Sequence, residues 1–256
     1  MALLVSSNDN YKMHYSNSMD EDFSFLSKET LKTVFLHKGS IDVKIYSVNG
    51  LVDLNINENQ GLILLPNVKF SILNNKNSEL FSVQSKVTDD SMVEIIDEQG
   101  NRIENNIEEF KLIDKPKKVT KPWGHEIWIS WFKNYHVLKR IFMIEGNKCS
   151  LQYHEKKSET NFIVSGKANV LKGINLEEDI SEENALIRYN QIQNINDYIV
   201  SMGANDYWDN QAFEIHRVFS IDSYTAYEAS TAELDDVIRL KDDNNRASGL
   251  IKSEHA

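Results

Sequence analysis

Short runs in which apolar and polar residues alternate recur along most of the chain, and nothing else in it constrains the fold as strongly. TVFLHK (33–38), IDVKIYS (41–47) and LVDLNI (51–56) follow one another closely, and Ser47-Val48-Asn49-Gly50 supplies a hairpin turn between the last two. LILL, VKFSIL and ELFSVQS continue the pattern to Ser85. A period of two buries one face of each strand, and turns every eight to twelve residues predict an antiparallel sandwich or barrel. After a charged stretch at 86–118 the texture returns, in HVLKRIFMI, CSLQYH, TNFIVSG, KANVLK, YIVSM, FEIHRVFS and SYTAYEAS. The chain is expected to be all-β, with two β domains in tandem.

The expected boundaries are a polar lead-in at 1–27, a first β domain at 28–114 and a second at 115–256, separated near Pro116. IEEFKLI (107–113) fits a short helix or strand, and the acidic EEDISEEN an inserted loop or short helix. The tail LDDVIRLKDDNNRASGL has a weak helical period and is expected to pack across the second domain. A net charge of −11 disfavours nucleic acid or an anionic membrane as the main partner. No signal peptide or membrane-spanning run is visible, and the single cysteine, Cys149, fits a reducing compartment, so a cytoplasmic location is expected.

Chemistry concentrates in GNKCSLQYHEKKSETNFIVSG (146–166). Residues two apart on a strand share a face, so Gln152 and His154 project together. Glu159 follows after a turn, and a pairing of its strand with theirs would return the carboxylate to the imidazole. His216, on a distant strand, closes the set if the sheet curls into a barrel. Two imidazoles, a carboxylate and an amide oxygen suit a divalent first-row metal. His14, His37, His125 and His136 lack partners at ligand spacing and are expected at or near the surface. Cys149 is expected to be a small packed residue, and Trp123 either a hydrophobic plug or part of the pocket lining.

Gly146, Gln152, His154, Glu159 and Gly166 fill the first cupin motif without a gap. The second is recognisable around His216, with Gln211 and Phe213 in place of its usual Pro and Gly. KPWGHEIWI, KRIFMIEGNKCSLQYH, SGKA, HRV and LDDVIRLKDDNNR together resemble the cupin domain of type II mannose-6-phosphate isomerases, over roughly 119–246. The first domain is similar to the later strands of sugar-nucleotide ketoisomerase cupins, with Phe70 near an expected His. The resemblance implies a bicupin of two jelly-roll domains, the N-terminal one degenerate, structural or dimer-forming.

It also implies one metal site, Gln152, His154, Glu159 and His216, holding zinc by default, or Mn, Fe, Co or Ni. The implied reaction is aldose–ketose isomerisation of a phosphorylated or nucleotide-linked sugar, in polysaccharide or nucleotide-sugar precursor synthesis, by a homodimer. Lys139 is the candidate base, with Lys157 and Arg217 for the phosphate or the developing oxyanion. KSETN stands where the isomerases carry RAEHW, so Lys157 replaces an Arg. Arg239 and Arg246 are expected to pair with neighbouring aspartates. The alternatives are a sugar-binding bicupin without turnover, or another cupin enzyme, an epimerase or a dioxygenase.

Overall fold

The computed structural model describes residues 2–17, 23–26, 29–73, 77–87, 95–96, 102–103 and 109–249. Most of the charged stretch expected at 86–118, parts of the lead-in and the last residues of the tail lie outside the described residues. The chain forms two compact units, Met1–Lys117 with Trp128–Leu138, and Lys118–Ile127 with Lys139–Ala256. No helix among the described residues is long and apolar enough to cross a membrane.

The first unit holds β1 (Ala2–Ser7), β2 (Lys12–Asn17), β3 (Phe23–Leu26), β4 (Thr30–Lys38), β5 (Ser40–Ser47), β6 (Gly50–Asn57), β7 (Gly61–Leu64), β8 (Lys69–Leu73), β9 (Glu79–Lys86), β10 (Ile95–Ile96), β11 (Arg102–Ile103) and β12 (Phe110–Ile113). They form sheets in the orders β1-β2-β9-β4-β7-β12 and β3-β8-β5-β6, with β10 and β11 a separate pair. The β5–β6 turn is the expected one, Ser47 facing Gly50. Inward positions of both sheets supply one core, including Val34, Leu36, Ile45, Leu62, Leu64, Phe70 and Ile72. Lys32 is also buried, its ammonium 5.6 Å from the centre of the Phe70 ring, and burial pushes its pKa down to about 8.

Where it is described, the polar N-terminal stretch forms strands. β2 pairs with β9, placing Met13 opposite Val83 and Tyr15 opposite Phe81, whose rings stand 4.9 Å apart. Tyr11, Met13 and Tyr15 are buried on alternate positions, a short apolar face hidden by Lys, His and Ser between them. IEEFKLI contributes strand rather than helix, since its apolar residues pair with β7.

His136 departs from expectation most sharply: it is fully buried. Its ring nitrogens meet the hydroxyls of Thr33, at 3.1 Å, and Ser85, at 2.9 Å, while Thr33 donates to Ser130 at 2.8 Å. The neutral ring is satisfied, and burial pushes its pKa down to about 3.

The second unit contains β13 (Lys117–Lys121), β14 (Gly124–Trp131), β15 (Val137–Met143), β16 (Leu151–Tyr153), β17 (Glu159–Ser165), β18 (Lys167–Asn175), α1 (Glu182–Asn190), a 3-10 turn (Ile195–Tyr198), β19 (Ile199–Gly203), β20 (Tyr207–Asn210), β21 (Glu214–Ser220), β22 (Tyr224–Ser230) and β23 (Ile238–Lys241). The tip of the β14–β15 pair, Trp128–Leu138, counts with the first unit. One sheet has the order β13-β14-β15-β22-β17-β20 and the other β19-β18-β21-β16-β23. The acidic insertion becomes α1, begun by the Ser181 hydroxyl accepting from the Asn184 N–H, with Glu182 and Glu183 in its first turn. The tail, expected as weakly helical, is strand β23, because pairing with β16 outweighs its period. Trp123 proves to be a core plug.

Gly166 turns β17 into β18 with φ +81°, and a Cβ there would stand 2.3 Å from the Ser223 carbonyl oxygen. Only glycine satisfies both demands.

His136 yields a pH prediction. A ring kept neutral in the fold but free to protonate near its ordinary value of 6.5 when unfolded adds no acid sensitivity above that pH. Below it, down to about 3, stability falls by about 1.4 kcal/mol per pH unit from this residue. Urea melts of wild type and His136→Gln at pH 7 and pH 5 should show a steeper acid loss in the wild type.

Candidate metal centre

The interior of the second unit changes character along its strands. On β17 the inward series runs Ile163, Asn161, Glu159, and on β22 it runs Tyr224, Ala226, Glu228. Lys139 continues Met143 and Ile141 on β15, His216 continues Val218 on β21, and Asn210 continues Trp208 on β20. The apolar members pack together as one cluster, so one end of the barrel is a dry core and the other a buried polar chamber. Burying so many polar groups is tolerable only if they satisfy one another or a ligand.

His154, Glu159 and His216 each offer a ligand atom within 4.8 Å of the others, and all three are buried. Among the described residues they are the one such group. Glu159 does not reach the imidazoles by pairing β16 with β17, as the spacing suggested. β16 pairs with β21 and β23, while β17 pairs with β20 and β22 in the opposite sheet. Residues 155–158 carry the chain across the sandwich, so the carboxylate faces the imidazoles from the other sheet.

Each imidazole is oriented by its other nitrogen. His154 Nδ1–H donates to the Asp236 carbonyl and His216 Nδ1–H to the Glu214 carbonyl, 3.0 Å away. Both Nε2 lone pairs are thereby free to face inward, the arrangement that ligating histidines require. Nε2 of His154 is buried without a hydrogen-bond partner, an orphan acceptor that a cation would satisfy. Gln152 faces His216 directly across β16 and β21. Its amide donates to His216 Nε2 at 3.3 Å and accepts from the Ser150 hydroxyl at 2.5 Å. Turning that amide over would present its oxygen to the same point. The donor set therefore fits a divalent ion.

Glu159 is held as an anion. Burial raises its pKa, but the Lys157 ammonium outweighs burial and holds the carboxyl well below its usual range. Oε2 accepts from the Lys157 ammonium, and Oε1 accepts from Asn210 at 2.8 Å and Asn161 at 3.4 Å. Lys157 also donates to Glu228 at 2.9 Å. Burial would lower its pKa, yet the two carboxylates raise it above the ordinary lysine value. Lys139 lies 3.7 Å from both Glu228 and Glu126, extending the row of alternating charges.

Lys139 and Lys157 thus stand in the chamber with the four candidate ligands, but Lys157 serves carboxylates rather than an incoming phosphate. Arg217 does not join them. It is adjacent to His216 on β21 and so faces the other way, where it binds the Cys149 carbonyl at 2.8 Å and Asp243 at 2.7 Å. Arg246 pairs with Asp242 as expected, whereas Arg239 uses the Gly249 carbonyl. Cys149 is a packed thiol whose sulfur accepts from the Val218 N–H, and burial pushes its pKa up to about 11. Phe213, in the place of a motif glycine, keeps the left-handed conformation with φ +59°. Glu126, Asn161, Asn210 and Glu228 went unrecognised in the sequence. Glu228, the one charge inside SYTAYEAS, was the legible signal.

Residues 108–201 match the family described as mannose-6-phosphate isomerase, C-terminal. No curated protein matches the chain. Solved structures with the same fold include an oxalate decarboxylase from Lactobacillus farciminis in complex with formate. It is 9% identical, with a TM-score of 0.59, over 94% of this chain and 88% of that one. A Bacillus subtilis oxalate decarboxylase variant is 10% identical, with a TM-score of 0.56, over 88% and 69% of the two chains. Streptomyces albus HEPD, with 2-hydroxyethylphosphonate and Fe(II) bound, is 6% identical, with a TM-score of 0.63, over 90% and 70%. The fold is a bicupin, two jelly-roll units of which the first lacks a ligand cluster among its described residues.

Two results are expected. Protein purified without added metal should carry about one divalent ion per chain by elemental analysis, lost in His154→Ala and His216→Ala. Lys157→Met should leave Glu159 and Glu228 without their shared cation and cost about 3–5 kcal/mol in urea unfolding.

Proposed function

We propose that the second unit is a metal-dependent aldose–ketose isomerase acting on a sugar phosphate. The observation that carries this reading is the convergence of two inward Nε2 lone pairs and an ionised carboxylate beside a lysine–carboxylate row. The match of residues 108–201 to an isomerase family supports the substrate class.

His154, His216 and Glu159 would hold the ion, with Gln152 completing the set. Zinc is the default, although iron is the ion bound in the Streptomyces neighbour. When bound, the ion supplies Lewis acidity toward the substrate's carbonyl and neighbouring hydroxyl oxygens. The chain's own residues do the rest. Lys139 Nζ, 3.7 Å from both Glu126 and Glu228, is the candidate base. Having given a proton to a neighbouring carboxylate, it would take one from the carbon beside the carbonyl and return it to the adjacent carbon. Glu228, which accepts from Lys157 and lies 3.7 Å from Lys139, would offset the positive charge on Lys139 while that lysine holds the proton. Lys157 keeps Glu159 anionic throughout. The apolar end of the barrel keeps bulk water from the chamber floor.

A second reading, a sugar-binding module without turnover, is favoured by the commitment of Lys157 to two carboxylates where the isomerases carry Arg. Assays with hexose and heptose phosphates separate the two. Isomerisation by the wild type is expected, with Lys139→Met lowering kcat by about 10²–10⁴-fold at unchanged metal content. Saturable binding with no isomerisation of any sugar phosphate would overturn the enzymatic reading.

A further inference from the structure

We propose, resting on the metal reading above, that Asp236 is a positioning residue of the centre and that the C-terminal segment is therefore part of it. Asp236 acts twice on the same short stretch. Its backbone carbonyl receives the Nδ1–H of His154, which selects the tautomer whose Nε2 lone pair faces inward. Its carboxylate accepts three successive backbone N–H groups, from Glu155 at 3.0 Å, Lys156 at 2.6 Å and Lys157 at 2.9 Å.

Those three residues begin the turn that carries the chain from the β16 sheet to the β17 sheet, between one ligand and the next. Three N–H groups aimed at one anion form a nest that fixes the path of the backbone. Without that acceptor each would turn to water, and both the ring of His154 and the ammonium of Lys157 would lose their placement. The segment that supplies Asp236 is itself anchored. β23 pairs with β16, setting Ile238 opposite Tyr153 and Arg239 opposite Gln152. The Gly249 N–H donates to the Val237 carbonyl at 2.7 Å, and Arg239 to the Gly249 carbonyl at 2.9 Å. One residue thus joins the end of the chain to a ligand 82 positions earlier. The family match ends at residue 201 and does not reach it.

The test uses the full chain as wild type, Asp236→Ala, Asp236→Asn and, as a control, the exposed neighbour Asp235→Ala. Apoprotein is titrated with Co(II), following its visible absorption, and long-range ¹⁵N–¹H spectra of the apoprotein report the His154 tautomer. Asp236→Ala keeps the backbone carbonyl but frees the three N–H groups that hold residues 155–157. His154 should then drift from that carbonyl, so the variant should bind Co(II) about 10–100-fold more weakly and lose the Nδ1–H form. Asp236→Asn, which keeps one acceptor oxygen, should fall between, and it carries the test if the alanine variant does not fold. Asp235→Ala should match the wild type in both readouts. Wild-type affinity together with a retained Nδ1–H form in the Asp236 variants would overturn the proposal. If the wild type itself takes up no Co(II), the metal reading fails, and the apoprotein spectra alone decide whether Asp236 positions the ring.

Discussion

A single buried ammonium, that of Lys157, makes the rest of the chamber possible. Two carboxylates brought together in a protein interior repel, and each alone would sooner take a proton than stay charged without water. Lys157 lies between Glu159 and Glu228 and keeps Glu159 ionised, which is the state a ligand needs. Such a row of ions is not a source of stability in itself, since desolvation offsets most of the attraction. Its value is positional. Counted formally, Glu126, Glu159 and Glu228 exceed Lys139 and Lys157 by one negative charge, directed toward the two imidazoles. Excess negative charge beside an unpartnered Nε2 is what a cation would complete.

The two units treat the same architecture differently. In the first, the inward face is closed by Leu, Ile, Val and Phe70, and its buried histidine, His136, is spent on two hydroxyls, those of Thr33 and Ser85. In the second, the inward face is apolar for only half its length. Polar side chains in a β interior cost several kcal/mol unless matched, so the chamber of the second unit depends on its polar groups satisfying one another or a ligand.

Much of this was legible in the sequence, because period-two alternation survives wherever one face of a strand is wet. The strands from 33 to 85 and the motif around Gln152, His154 and Glu159 could be placed for that reason. What escaped lacked the pattern or depended on distant partners. The apolar face of β2 is only three residues wide, and β23 is a strand because β16 needs an edge partner, not because of its own composition. Glu228 sits on an otherwise plain strand, and its importance arises from Lys157 and Lys139, 71 and 89 positions away in sequence. Arg217 follows the same alternation that sets Gln152 and His154 together: its neighbour His216 takes the inward side and Arg217 the other. Asp236 acts partly through its backbone, which no residue type announces.

Because His216 and the strand leading to His154 belong to one sheet and Glu159 to the other, the spacing of the two sheets at that level sets how closely their side chains can meet. Face-to-face sheets stand about 10 Å apart, a spacing set by the side chains between them. Ile163, Val218 and Ala226, a strand step or two beneath the polar groups, therefore act as the shims of a calliper. Residues with no chemistry of their own fix the gap in which the chemistry sits, so the apolar half of the barrel tunes the polar half without touching anything that enters it.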